Sequence, residues 1–189
     1  MTSDKQEKIL SAAWSVFLKF GYKRVTMGDI ADAAGISRPA LYLIFNKKED
    51  VFTAVVRHNS NHRLEEIRQA LGRSSKSAKE KLKSAFEVWT VRPFDTIMGS
   101  EEAKELLDCG FGFARETMEQ SYASFQALIT PILQPLVKGS PIKNLSAKQI
   151  AHILTSSVRG FKLVSKNSAE LRAMIDDLLN MTLESLEGD

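Results

Sequence analysis

Apolar residues recur every three to four positions along almost the whole chain. Over residues 4–20 the stripe is Ile9, Ala13, Val16, Phe17 and Phe20, with Lys5, Glu7, Lys8 and Lys19 on the other side. That is the period of an amphipathic helix. Gly21 ends it. Thr26 stands where an N-cap belongs, and Asp29 three residues on completes a capping-box pattern. A second helix is therefore expected over 27–34, with Ile30, Ala31 and Ala34 on its apolar side. Gly35 stops that helix, because glycine enters the left-handed region at little cost. Ser37 caps a third helix, about 37–44, with Pro39 in its first turn, where a missing N–H does no harm. Leu41, Ile44 and Phe45 return to the core. After the polar break Asn46-Lys47-Lys48-Glu49-Asp50, a helix of about 47–71 carries Val51, Phe52, Val55, Leu64, Ile67 and Leu71.

Gly72-Arg73-Ser74-Ser75-Lys76-Ser77 reads as a linker. Beyond it, helices are expected at about 77–93, 100–109, 113–138, 146–166 and 168–187. Pro93 should end the first, and Pro131 and Pro135 should kink or locally break the third. No segment alternates with the period of a strand, so the fold class is all-α. Residues 1–50 read as a helix-turn-helix domain, joined by the helix of about 47–71 to a larger helical domain, 51–189. Two short helices about a Gly turn form the pattern of a DNA-binding helix-turn-helix. An ordinary two-helix corner has the same local pattern, and the flanks must decide.

Composition and charge bear on that choice. The chain has 189 residues, of which 43% are hydrophobic and 26% charged, values of a globular rather than a disordered protein. No apolar run is long enough to span a bilayer, and no signal pattern stands at the start. The single Cys109 rules out an intrachain disulfide. A cytoplasmic location is expected, with no membrane association and no cofactor. The net charge of +3 is unevenly placed: residues 1–72 hold eleven Lys and Arg against eight Asp and Glu, and the remainder is neutral. The positive excess lies with the candidate DNA reader, as a phosphate-binding surface requires.

The flanking residues carry a resemblance. Phe20-Gly21-Tyr22, Val25-Thr26, Ile30-Ala31, Ala33-Ala34-Gly35-Ile36-Ser37, Leu41-Tyr42, Phe45 and Lys48-Glu49 follow one another in an order and spacing that resembles the N-terminal signature of TetR/AcrR-type transcriptional regulators. The likeness covers roughly residues 8–52. The second half is similar only to that family's general plan, a helical ligand-binding and dimerisation domain. The resemblance implies a homodimer on a pseudo-palindromic double-stranded DNA operator, its two third helices in major grooves about 34–36 Å apart. It also implies a small-molecule effector that releases the DNA, and hence a repressor; the aromatic series of the second half suits a hydrophobic or aromatic one. Two other readings stay open: a regulator whose C-terminal domain only dimerises, and a helical small-molecule binding protein or enzyme. No carboxylate pair, Ser/His/Asp set or Gly-rich phosphate loop supports catalysis, so no catalytic residue is assigned.

The DNA-binding candidates are Thr26, Ser37, Arg38, Pro39, Ala40, Tyr42, Leu43, Lys47 and Lys48. Arg38 can reach guanine O6 and N7 with two parallel hydrogen bonds, or a phosphate instead. Pro39 and Ala40 offer apolar contact to a thymine methyl. Ala40 and Leu43 depart from the polar residue and the His common at those places, so direct readout is thin and DNA shape should supply part of the specificity. Ser37, Thr26 and Tyr42 carry hydroxyls suited to phosphates, though Tyr42 can equally pack on the first helix. Lys47 and Lys48 open the fourth helix, where the dipole also favours an anion. Lys23 and Arg24 are flank candidates, or simply solvated.

Trp89, Phe113, Tyr122 and Phe125 are the ligand-binding candidates. They belong to an aromatic and Met-rich series, with Cys109 and Phe111, that reads either as plain core or as the lining of an apolar cavity. The dimer candidates are Ser156, Gly160, Val164, Ile175, Leu178, Leu179 and Thr182, on two helices that would make a four-helix bundle across a two-fold axis. The alternative is that these faces pack within one chain. His58 and His62 have no supporting third ligand and His152 lies among apolar residues, so no metal site is expected.

Overall fold

The computed structural model describes residues 3–72, 77–142 and 144–187, without the side chains of residues 3–4 and 107–111. Among them helix is the only regular structure. In chain order the elements are α1 (Ser3–Arg24), α2 (Met27–Ala33), α3 (Arg38–Tyr42), α4 (Lys48–Gly72), α5 (Ala78–Phe86), a π-helical turn (Glu87–Val91), α6 (Arg92–Met98), α7 (Glu101–Phe111), α8 (Arg115–Gly139), α9 (Ala147–Val164) and α10 (Ser168–Glu187). They form two compact units. One is Met1–Asn61 with Ile97–Ser121, the other His62–Thr96 with Tyr122–Asp189.

In the first unit, Ile9, Ala13, Phe17, Val25, Ile30, Leu41, Phe52 and Val55 make a core closed by Ala103, Leu106 and Ala114 of α7 and the α7–α8 turn. Each large apolar side chain so buried contributes about 1.5–3 kcal/mol. Residues 97–121 belong to the same compact unit and complete this core. The compact unit thus differs from a linear 1–50 segment. Gly21 makes the α1–α7 approach possible. Its φ of 75° and ψ of 159° break the helical geometry of α1. A Cβ there would lie 2.3 Å from Glu105 Oε1 and 2.9 Å from the Glu102 carbonyl oxygen. Phe20, expected in the apolar stripe, is instead exposed, with Lys19 Nζ 5.0 Å from its ring centroid.

The second unit buries Leu82, Ala85 and Phe86 of α5, Ile150, Ala151, Leu154 and Val158 of α9, and Leu171, Ile175, Leu179, Leu183 and Leu186 of α10. Polar ties follow the same packing. Arg172 donates to both Glu87 carboxylate oxygens at 3.0 Å, Lys83 meets Asp176 at 2.8 Å, and Ser168 Oγ donates to Asp95 at 2.7 Å. Such exposed pairs are worth at most about 1 kcal/mol each.

Prolines do less damage than their positions suggest. Pro93 sits in the first turn of α6. A proline ring ordinarily collides with the carbonyl four residues back, here that of Trp89. The wider π turn just before it, closed by Arg92 N–H donating to Glu87 O, relieves that crowding and lets the helical path run on to Met98. α8 likewise continues through Pro131 and Pro135, so of the expected kink or local break the helix shows no break there.

Candidate nucleic-acid interface

The local sequence builds the reading unit as expected. Thr26 caps α2. Asp29 N–H donates to Thr26 Oγ1 at 3.2 Å, and Thr26 N–H donates to Asp29 Oδ2 at 2.8 Å. Gly35 turns the chain at φ 65°. Ser37 then caps α3 by accepting from Ala40 N–H at 3.3 Å. Leu41 and Phe45 are anchored in the core at 0% and 7% exposure. α3 is shorter than the pattern suggested. Ile44 N–H and Phe45 N–H both donate to Leu41 O, so the last turn tightens and Leu43 stands at the C-cap.

This framework presents Ser37, Arg38, Pro39, Tyr42, Leu43 and Lys47 to solvent, with Ala40 half-buried. Leu43 is 89% exposed and Tyr42 41%. The Arg38 guanidinium lies 5.6 Å over the Tyr42 ring, one helical turn on. Tyr42 therefore faces outward under a cation rather than packing into the core. Ser37 Oγ accepts the cap bond and keeps its own proton to donate. Apolar Leu43, Pro39 and Ala40 beside one guanidinium suit thymine methyls next to a guanine.

Two candidates are otherwise occupied. Thr26 Oγ1 donates its proton to Asp29 Oδ2 at 2.8 Å, so its hydroxyl has no proton left for a phosphate. Lys48 is tied within the fold. Its Nζ donates to the carbonyls of Tyr22 and Val25, both at 2.7 Å, and lies 4.3 Å over the Tyr22 ring. The cation is held between the carbonyl of Tyr22, just after the kink at Gly21, and that of Val25, just beyond α1. Sequence reasoning could not place it there, because carbonyl direction at a helix end depends on the kink at Gly21. Lys23 and Arg24, the flank candidates, lie 3.8 Å from Glu105 and 3.9 Å from Glu102 of α7. Arg38 and Lys47 are exposed as well, and Lys23 and Arg24 keep 83% and 74% of their side chains in solvent.

The Asp29 carboxyl is held below the usual carboxylate range, first by the Thr26 backbone N–H, then by the Thr26 hydroxyl, and least by Lys48. A carboxyl depressed in the fold stabilises it above the unfolded value and loses that contribution as pH falls through the folded one. The α2 cap should therefore loosen progressively below about pH 4. Amide chemical shifts of Thr26 and Asp29 followed from pH 6 to 2 will report it, and Asp29→Asn should remove the transition. A titration of these amides unchanged in that variant would contradict the assignment.

In the second unit the aromatic candidates meet. Trp89, Tyr122 and Phe125 are buried at 7%, 5% and 0% exposure. Trp89 stacks on Phe125 with centroids 4.9 Å apart and meets Tyr122 edge-on at 5.9 Å. Phe113 belongs elsewhere. It lies in the first unit, 43% exposed, against Tyr22 at 5.0 Å and Phe52 at 5.4 Å. The helix break at 112–114 puts it on α1 and α4 rather than with the other three. Cys109 and Phe111 fall outside the described side chains. Sequence reasoning also passed over three cations beside the rings, Arg63, Arg159 and Lys162; no periodicity announces them. A separate cavity of about 490 Å³ is lined by Leu71, Leu128, Ile132 and Leu136, with Arg68 and Lys81 among its walls. None of the four predicted ligand residues lines it.

The dimer candidates divide. Ser156, Gly160 and Val164 are exposed, and Leu178 and Thr182 are half-buried. Ile175 and Leu179 are 3% and 0% exposed and pack inside the chain. Helical period alone cannot tell an inward face from an adjacent outward one. Ile153 and Leu163 of α9 and Met181 of α10 are also exposed, at 47%, 74% and 68%. His152 is exposed, its Nδ1 3.3 Å from Gln126 Nε2. Among the described residues no group of three or more His, Cys, Asp or Glu is placed to hold a metal, and no helix is long and apolar enough to cross a membrane.

Residues 9–55 match the family described as bacterial regulatory proteins, tetR family. The chain is 32% identical over 104 residues to the HTH-type transcriptional activator FasR of Mycolicibacterium smegmatis, a match covering 55% of this chain and 45% of that protein. It thus spans less than half the length of that relative. Among solved structures, the fatty acid degradation regulator FadR from Bacillus halodurans superposes with a TM-score of 0.72 at 19% identity, covering 100% of both chains. Thermus thermophilus FadR, a TetR-family transcriptional repressor in complex with lauroyl-CoA, gives 0.64 at 23% identity over 95% of this chain and 94% of that one. At these identities the structures establish the fold.

Proposed function

The N-terminal domain belongs to the TetR family of bacterial regulatory proteins, and from that premise we propose that the chain is a ligand-responsive, DNA-binding transcriptional regulator, a repressor released from its operator by a small hydrophobic or aromatic effector. The observation that carries the reading is the exposed face of α3. There Ser37, Arg38, Pro39, Tyr42 and Leu43 project from a helix whose Leu41 is locked in the core. A corner serving only to pack would not leave a leucine and a tyrosine in water.

The protein acts as a homodimer in the cytoplasm. Support for the dimer is the exposed Ile153, Gly160, Leu163 and Val164 of α9 and Met181 of α10. At Gly160 a Cβ would meet nothing within 4 Å, so this face leaves room for close helix approach. Support for an effector is the buried cluster of Trp89, Tyr122 and Phe125, together with the lauroyl-CoA held by the Thermus protein of the same fold. Release by an effector relieves repression at the operator; the partial relative FasR is named an activator.

Selection of bound sequences from random DNA tests the reading. It should yield a two-fold-related site. Against that site, Arg38→Ala should weaken binding by about 1–3 kcal/mol and relax one base position per half-site. No enrichment of any sequence, or an Arg38→Ala variant that binds as well as the parent, refutes it. A domain that only dimerises would give the same site but no ligand-dependent release.

A further inference from the structure

Arg38 opens α3 and Tyr42 closes it, four residues on. That spacing puts both side chains on one face of the helix. The Arg38 guanidinium lies 5.6 Å from the centroid of the Tyr42 ring, over its face, within reach of a cation–π contact. Among the described residues no carboxylate pairs with Arg38. The helix backbone gives it no hold either, because the first turn carries the positive end of the dipole and favours anions. The ring stands on a fixed base: Leu41, its neighbour in the chain, is fully buried, while Tyr42 itself is 41% exposed.

A ring and a carboxylate hold an arginine in different ways. A carboxylate pairs with the N–H edge of the guanidinium and occupies the donors that could read a base. A ring takes the flat face of the cation and leaves the edge free. A solvated arginine also has much rotamer freedom to lose when it binds. One already laid against a ring has given up part of it before DNA arrives, so less of the contact energy is spent on ordering.

We propose that Tyr42 is a positioning residue for base recognition. Its ring holds the Arg38 guanidinium with its donor edge outward, toward guanine O6 and N7, and so sets the strength of preference at one base pair of each half-site without touching that base. This rests on the DNA-binding reading above. It gives the role to the ring of Tyr42 and makes the hydroxyl dispensable for it.

The test is selection from random DNA with the full chain and four variants: Arg38→Ala, Tyr42→Phe, Tyr42→Leu and Arg38→Ala/Tyr42→Leu. The parent should prefer guanine at the position that Arg38→Ala relaxes. Tyr42→Phe keeps the ring and should keep that preference. Tyr42→Leu should weaken it about three- to fivefold and leave the other positions as they were. In the Arg38→Ala background Tyr42→Leu should change that position no further, since the two residues act through one contact. A preference is a ratio of affinities of one protein for two sequences, so partial unfolding of a variant cancels from it. A second measurement needs no DNA. In the free parent the Arg38 δ protons should show an upfield ring-current shift that is absent in the denatured chain and in Tyr42→Leu. An undiminished guanine preference in Tyr42→Leu, Arg38 δ protons in the folded parent at their denatured positions, or a Tyr42→Phe variant that loses the preference as fully as Arg38→Ala would overturn the proposal. The DNA-binding reading fails separately, on a parent that enriches no sequence. An Arg38→Ala variant that weakens all sequences equally keeps that reading and overturns the positioning role.

Discussion

Gly21→Ala is expected to destabilise the N-terminal unit strongly. Two costs add. The backbone at φ 75°, ψ 159° lies in a region open in practice to glycine alone, at about 1–3 kcal/mol for another residue. The new Cβ would also overlap Glu105 Oε1 at 2.3 Å and the Glu102 carbonyl oxygen at 2.9 Å. The side chain of Glu105 can move, but it accepts the Lys23 N–H at 2.9 Å, and that bond would be lost. The Glu102 carbonyl belongs to α7 and can yield only if the helix shifts. A loss of about 3 kcal/mol or more is expected, which for a chain of this size lowers the melting temperature by about 6–12 °C. Calorimetry measures it. The double variant Gly21→Ala/Glu105→Ala should recover only part, because the backbone strain and the Glu102 contact remain. Full recovery would mean that the side-chain overlap was the whole effect. An unchanged midpoint in Gly21→Ala would refute the packing of α7 on α1.

Lys48→Met should destabilise the protein, whereas Lys47→Ala should not. The Lys48 ammonium ties the start of α4 to the end of α1 through two 2.7 Å bonds to the carbonyls of Tyr22 and Val25. Methionine keeps most of the stem over the Tyr22 ring and removes both bonds, leaving part-buried carbonyls without a donor. A loss of about 2 kcal/mol or more is expected. Operator affinity should fall with it, because α2 and α3 hang between these two helices, but the dependence of affinity on salt should keep its slope. Lys47 is exposed. Lys47→Ala should leave the melting temperature unchanged and lower the salt slope by about one, the signature of a lost phosphate contact. The opposite pairing, a stable Lys48→Met with a reduced slope, would return the phosphate contact to Lys48.

The contrast between these neighbouring lysines marks where sequence reasoning stops. Both open the same helix, both are basic, and the pattern assigns them one role. Their difference comes from the direction of the α1 carbonyls, which the φ and ψ of Gly21 set. Thr26 repeats the point: a hydroxyl near a helix start suits a phosphate, but this one donates to Asp29 Oδ2. Phe113 does so for packing. It shares a composition class with Trp89, Tyr122 and Phe125, yet the chain turn at 112–114 places it on α1 and α4. Ile175 and Leu179 were assigned outward on a helix whose period admits two apolar faces, and burial chose the inner one for them.

What the sequence determined by itself is local. Capping side chains, the two glycine turns and the apolar period are effects of near neighbours, so helix-turn-helix, the all-helical class and the outward face of α3 were legible before any tertiary contact was known. What only the tertiary structure decided is whatever depends on partners far along the chain. Examples are α7 closing the DNA-binding core 82 positions from the residues it touches, the anchoring of Lys48, and the meeting of Arg63, Arg159 and Lys162 around Tyr122. Long-range packing selects among many side-chain placements of equal local cost, and no periodicity encodes that choice.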